Sequence, residues 1–270
     1  MQIAIDDPDD PRIAGFRQVR ERDLVGRQGG FIAEGEVVLA AAVRAARHPL
    51  TSLLIDEKRL AGLKPVLDAL PQATPIYAAR QAVMDAVVGF HIHRGILALG
   101  QRAPMASAQA LLAGLPRRSV VLALFGIGNH DNMGGLFRNA AAFGAGAVLL
   151  APDCCDPLYR KAIRVSVGAA LTVPFAGFAP GDDPIALLAE HGFEPVALSP
   201  AGREPLSALA PPARTAVLLG AEGPGLPPAL LERSRTVSIP MAGRWDSLNV
   251  AVTAGIVLHH LTAAEPKAGV

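Results

Sequence analysis

The sequence predicts an α/β protein of two domains, the second built on a mostly parallel sheet. Three observations carry this reading. Short apolar runs alternate with helical stretches along both halves of the chain. In the second half those runs are continuously apolar, as in strands buried on both faces of a parallel sheet. Between the halves lies a stretch with Pro104, Pro116 and several small residues that reads as a linker. A length of 270 residues, 51% of them hydrophobic, supplies enough apolar side chains for a core in each half.

In the first domain, 1–100, the residues 31–46 read as a helix, because Val38, Ala41, Ala42 and Ala45 recur at spacings of three and four. His48-Pro49 ends it. A strand is expected at 50–55, a helix at 60–70, a strand at 75–78, a helix at 80–88 and a last strand at 95–99. The linker, 101–118, carries a short helix at 108–112. The second domain, 119–264, has strand candidates at 120–125, 147–150, 172–175, 194–198, 216–219 and 236–239. Residues 265–270 read as a tail.

Charged residues are only 18% of the chain and the formal net charge is +1, so any nucleic-acid surface has to be a local one. The cysteines Cys154 and Cys155 are sequence neighbours, which disfavours a disulfide between them. Free thiols and a reducing cytoplasm are expected. No Cys/His cluster has zinc spacing, so no metal is expected. The acidic start MQIAIDDPDD does not read as a signal peptide, and no apolar run is long enough to predict a membrane span.

Three constellations carry chemistry. After the first strand of the second domain comes GIGNHDNMGGLFRNAAAF. Gly126 and Gly128 fit the first two glycines of a dinucleotide fingerprint, but Asp131 stands at its sixth position, and Asp153 lies where a ribose-binding acid is expected. In the helix that follows, Met133, Leu136, Phe137, Ala140 and Phe143 or Gly144 form an apolar stripe with Arg138 off it. Arg138 shares a face with Gly134 and Gly135, whose bare backbone leaves the guanidinium room to reach a ligand; a solvated ion pair is the alternative. The second constellation is the tight turn GAEGPGL at 220–226, from which Glu222 projects, and which alone reads equally as a plain surface turn. The third is PMAGRWDSLNV, where Asp246 or Ser247 is the expected N-cap of an apolar helix. That helix is apolar on nearly every side, which predicts one face on the sheet and the other on a second subunit. Ser247 and Asn249 sit at its mouth, where capping alone is the bland role.

Together these segments resemble the SpoU (TrmH) branch of the SPOUT RNA methyltransferases. Asn132, Gly134 and Arg138 stand as in its first motif, GAEGPG as in its second, and IPMAGRWDSLNV as in its third; DPLYRKAIRVSVGAALTVPF, at 156–175, is similar to the stretch between the first two. Asp131 replaces a common proline and Asn139 a common threonine. More faintly, FIAEGEVVLAAAV and HRGILALG resemble a substrate-binding domain of the ribosomal-protein (L30e-like) type. The resemblance implies a trefoil knot in the second domain, a homodimer through it, and the cofactor S-adenosyl-L-methionine held by Leu219, Gly220, Ile239, Met241 and Leu248. It implies methyl transfer to a ribose 2′-hydroxyl of tRNA or rRNA, with Arg138, Asn132, Glu222, Ser247 and Asn249 as the catalytic set. A guanidinium keeps its proton, so Arg138 suits phosphate binding and stabilisation of a developing alkoxide better than base catalysis.

RNA contacts are expected from Arg160, Lys161 and Arg164, close together on one helix, and from the front cluster that includes Arg17 and Arg20; a solvated charged face is the alternative. Two other functions stay open on the residues alone. One is an NAD-dependent oxidoreductase, which the Gly126 loop suits but Glu222 and SLNV do not. The other is a non-enzymatic RNA-binding protein.

Overall fold

The computed structural model describes residues 2–17, 29–243 and 247–262. Their contacts divide the chain into two compact units. The first takes the chain up to Pro104 together with Asp156–Thr172; the second takes Met105–Cys155 and the chain from Val173 on.

In the first unit, β1 (Gln2–Ile5) is followed by a 3-10 turn at Pro11–Phe16, β2 (Gly30–Glu34), α1 (Glu36–Ala45), β3 (Leu50–Asp56), α2 (Leu60–Leu67), β4 (Ile76–Ala79), α3 (Gln81–Val88) and β5 (Ile96–Gln101). Their sheet has the order β1-β4-β3-β5-β2, parallel from β1 to β3 and antiparallel from β3 to β2. The helix expected over 31–46 is therefore two elements. Phe31–Glu34 pairs with β5 instead, and helix starts only at Glu36. A short apolar run suits either state, and here the free edge of β5 decides it. Ile5, Ile13, Phe16, Leu54, Met84, Val87 and Leu97 share one core.

The second unit opens with α4 (Ala108–Ala113), β6 (Ser119–Leu124), α5 (His130–Phe143) and β7 (Ala147–Leu150). Asn129 caps α5 by accepting from the Asp131 amide at 2.8 Å. Of the predicted stripe, Met133, Leu136, Phe137 and Ala140 are buried and Phe143 is half-buried, each large buried side chain contributing about 1.5–3 kcal/mol by leaving water.

The next segment rejoins the first unit. It holds α6 (Arg160–Val165) and α7 (Ala169–Thr172). The sequence predicts this stretch as part of the second domain, with a strand at 172–175; Thr172 instead ends a helix. Arg160 on α6 bonds Glu34 of β2 at 2.9 Å, Arg102 pairs with Asp156, and Gly168 packs against Val38 and Ala41 of α1. These are long-range attachments that no local pattern encodes.

The chain then returns to the second unit with β8 (Phe175–Gly177), α8 (Pro184–Glu190), β9 (Glu194–Leu198), β10 (Glu204–Pro205), β11 (Arg214–Leu219), α9 (Pro228–Glu232), β12 (Arg235–Ser238) and α10 (Val250–Thr262). All pairings in the order β10-β12-β9-β11-β6-β7-β8 are parallel, as the continuous apolar strands predict. The edge strand β10 is too short to announce itself. Arg235 of β12 holds it by pairing with Glu204, and the same guanidinium reaches Glu194 of β9 at 3.1 Å. It keeps the Glu204 carboxyl below its usual range. Cys154 and Cys155 are free thiols, and burial pushes the Cys154 thiol up.

The last helix departs from expectation in two ways. Its cap is Asn249, whose Oδ1 accepts from the Ala251 amide at 2.9 Å and the Val252 amide at 3.3 Å, so Ser247 lies outside it; Asp246 falls outside the described residues. Its main neighbour is α5 rather than the sheet. Val250, Ala254, Val257, Leu258 and Leu261 are buried, while Val252 and Ile256 face outward. Gly135 of α5 sets the approach of the two helices, because a Cβ there would lie 2.7 Å from the Ala251 Cβ. This corrects the idea that Gly135 clears backbone for Arg138; helix packing uses the space. Asn139, where the motif commonly has threonine, donates to the Ala251 carbonyl at 2.6 Å across the same contact.

Replacing Gly135 with Val should therefore cost about 1–3 kcal/mol of stability by overpacking. Urea unfolding measures it, and an unchanged midpoint would show that the helices are not this close.

Candidate active site

A cleft of about 480 Å³ opens in the second unit at the carboxyl ends of β9, β11 and β12. In open parallel sheets this is the edge at which ligands bind. Leu198, Leu219, Val237, Ile239, Met241 and Leu248 make its apolar walls, and Gly220, Glu222, Ser247, Asn249 and Thr253 also line it. All five residues expected to hold a cofactor are present, as are three of the five expected to act in catalysis. Leu198, Ser199 and Pro200, at the end of β9 and just after it, also line it and were missed. Nothing in that segment's composition marks it; only the strand order brings it beside β11.

The floor depends on the turn after β11. The Ala221 carbonyl accepts from the Gly225 amide at 3.0 Å, folding the turn back on itself. A Cβ on Gly220 would lie 2.2 Å from the Gly225 carbonyl carbon, so only glycine permits this closure.

Beside the cleft, three side chains from three elements meet. Asn132, buried in the first turn of α5, donates to Glu222 Oε1 at 2.8 Å. Asn249 donates through its own Nδ2 to Asn132 Oδ1 at 2.8 Å and to Glu222 Oε1 at 3.2 Å. Asn249 Oδ1 caps α10. The orientation of both amides follows from chemistry. A carboxylate only accepts, and backbone amides only donate. Asn132 must therefore aim its NH2 at Glu222, and Asn249 its oxygen at α10. Glu222 also faces the starts of two helices, where a negative charge is favoured.

Arg138 lies two turns along α5 from Asn132, exposed, with no ion-pair partner among the described residues. It does not line the cleft, and neither does Asn132. Ser247 is exposed at the cleft. The glycine loop after β6 is tied to the loop after β7, where the Gly126 amide donates to Asp153 Oδ1 at 2.9 Å. The cleft opens beside β11, not on that loop.

Of the cations expected to meet RNA, Arg160 is engaged by Glu34, which leaves Lys161 and Arg164 as the exposed ones on α6. Arg17 donates to the Pro8 and Asp10 carbonyls and so holds its own loop. Arg20 lies outside the described residues. Among the described residues no cluster of His, Cys, Asp or Glu could hold a metal ion, and no helix is long and apolar enough to cross a membrane.

Comparison with known proteins gives the family. The model of the SpoU rRNA methylase family matches residues 119–259. The chain belongs to that family. An uncharacterised tRNA/rRNA methyltransferase of Mycobacterium bovis is 40% identical over 266 residues, 95% of this chain and 90% of that one. The 23S rRNA (guanosine-2′-O-)-methyltransferase of Salmonella typhi is 31% identical, covering 75% of this chain and 84% of its own. Among solved structures, an RNA 2′-O ribose methyltransferase superposes with a TM-score of 0.75 at 26% identity over 96% of this chain and 98% of that one. The AdoMet-bound rRNA methyltransferase of Sinorhizobium meliloti does so at 0.80 and 21% identity over 96% and 97%, which speaks for the fold.

Replacing Asn132 with Asp places a second carboxyl against Glu222. Mutual repulsion raises the folded-state pKa of the new acid above its unfolded value. Stability is then kept below the unfolded pKa and lost as pH rises through the carboxylate range. The variant's melting temperature should fall further below wild type at about pH 8 than at about pH 4. The opposite order would contradict the network.

Proposed function

We propose that this SpoU-family chain transfers a methyl group from S-adenosyl-L-methionine to a ribose 2′-hydroxyl of tRNA or rRNA. One observation carries the reading: Asn132, Glu222 and Asn249, from three motifs far apart in sequence, are joined by direct hydrogen bonds at the mouth of a ligand-sized cleft. The named activity of the Salmonella relative supports the 2′-oxygen as acceptor.

The residues present fit the cofactor. A cleft of about 480 Å³ lies within the roughly 300–1,000 Å³ of small-molecule sites. Its apolar walls, Leu219, Ile239, Met241 and Leu248, suit a purine, and the closed turn at Gly220 offers backbone groups at the wall. The Glu222 carboxylate suits a cationic ligand. When bound, the cofactor supplies an electrophilic methyl on a sulfonium. The protein has to bring the 2′-oxygen into line and favour loss of its proton; positioning of this kind is worth about 7–11 kcal/mol. Arg138 binds the neighbouring phosphate and stabilises the developing alkoxide. Asn132 holds the start of α5 against Glu222 and so fixes the helix that carries Arg138. Ser247 orients the ribose, and Asn249, whose amide is taken up by Asn132, Glu222 and the start of α10, holds that network in place.

The remaining expectations belong to the same proposal. Val252 and Ile256 give the second unit an outward apolar face suited to a homodimer. The motif resemblance supports a knot in the second unit, an L30e-like RNA-binding role for the first and a place in the cytoplasm. The oxidoreductase alternative finds no support in the cleft, which is lined by neither Gly126 nor Asp153.

In the test, Arg138→Ala should lower methyl transfer into RNA by about 10²–10³-fold, the usual loss of one preorganised charge donor. Cofactor affinity, read by calorimetry, should stay within about twofold, well under the roughly 1.4 kcal/mol of a tenfold change. Near-normal turnover in this variant would sink the role given to Arg138.

A further inference from the structure

The loop between α3 and β5, residues 89–95, is built for something the second unit does not explain. Its sequence, GFHIHRG, puts three rings within four residues. The three rings are exposed. Phe90 is 48% accessible, and His91 and His93 stand T-shaped to each other with centroids 4.6 Å apart. The loop thus holds aromatic faces at the surface of the first unit.

The loop is rigid by construction. Ile92, between the two histidines, is buried in the core of the first unit. Asp85 accepts from the Ile92 amide at 2.9 Å and bonds His91 Nδ1 at 2.8 Å. Gln81 bridges Asp85 and the Ile92 carbonyl at 2.7 and 2.9 Å. The rings are thus presented in fixed positions rather than on a loose tether.

Positive charge surrounds them. The Arg160 guanidinium sits over the Phe90 ring, 5.0 Å from its centroid. Arg94 is exposed and donates to the Glu34 carbonyl at 3.4 Å. The two acids beneath, Asp85 and Glu34, are both taken up, by His91 and by Arg160. Exposed rings with cations beside them are what unpaired nucleotides require: a flat face for each base and a donor for each phosphate.

We infer that Phe90, His91 and His93 form a stacking platform for unpaired bases of the RNA substrate, with Arg94 as its phosphate contact. This rests on the reading of the chain as an RNA enzyme, and it narrows the substrate to RNA with a single-stranded element. Arg160 then acts twice, since the guanidinium that docks α6 onto β2 also braces the ring that the base would meet.

The test uses the full chain and a fluorescein-labelled ten-nucleotide uridine strand, with an abasic ribose-phosphate strand of the same length as comparison. Binding is read by anisotropy. Phe90→Ala should weaken binding of the uridine strand by about 5- to 150-fold, the range for loss of one stacked base. It should leave the abasic strand, the melting temperature and cofactor affinity unchanged. Phe90→Trp should restore uridine-strand affinity, with quenching of the new tryptophan on binding. Equal wild-type affinity for both strands would overturn the platform, as would wild-type affinity in Phe90→Ala, which would leave the rings to a protein partner. Methylation of bulk RNA by the wild-type chain is scored separately. If methylation succeeds while the platform test fails, only the platform falls. If methylation fails, the activity reading falls whatever the strands do.

Discussion

An ionised carboxylate can accept hydrogen bonds but not donate them, and Glu222 places one such group where two asparagines can reach it. Much of the site follows from that asymmetry. Asn132 must turn its NH2 toward Glu222, so its oxygen faces Asn249. Asn249 must then donate to Asn132 and keep its own oxygen for the amides of α10. The turn after β11, the start of α5 and the start of α10 are thereby fixed against each other. Those elements border the cleft and carry Arg138.

The helix pair beneath answers a different constraint. α5 and α10 approach closely because Gly135 faces Ala251, and Asn139 donates to the Ala251 carbonyl across the contact. The asparagine at the motif's usual threonine position therefore ties the two helices together by a side-chain hydrogen bond. Stability and function meet in one helix. Its buried stripe anchors it, its first turn joins the carboxylate network, and its exposed side presents a guanidinium.

Much of this was legible in the sequence, for physical reasons. Parallel strands buried on both faces must be apolar throughout, which made β6, β7, β9 and β11 readable. Residues 219, 220, 239, 241 and 248 were read from motif resemblance, and the cleft does gather them. What could not be read is tertiary in origin. Phe31–Glu34 became strand because β5 had an edge to fill. The stretch Asp156–Thr172 joined the first unit through Glu34, Arg102 and the surface of α1, partners remote in sequence. Ser199 and Pro200 entered the cleft only through strand order. Of the residues offered as a cap for α10, Asn249 takes the role rather than Ser247, and its second hold on Glu222 is a tertiary contact that no local pattern carries.

The central claim is that this cleft delivers a methyl group to ribose rather than to a base. Its most direct measurement is to incubate the purified chain with S-adenosylmethionine carrying an isotopic methyl label and with unmodified tRNA and rRNA transcripts, then digest to nucleosides and resolve them by mass spectrometry. Label on 2′-O-methyl nucleosides is the predicted result. Label on a base nitrogen or carbon, or no transfer to either RNA, would contradict it.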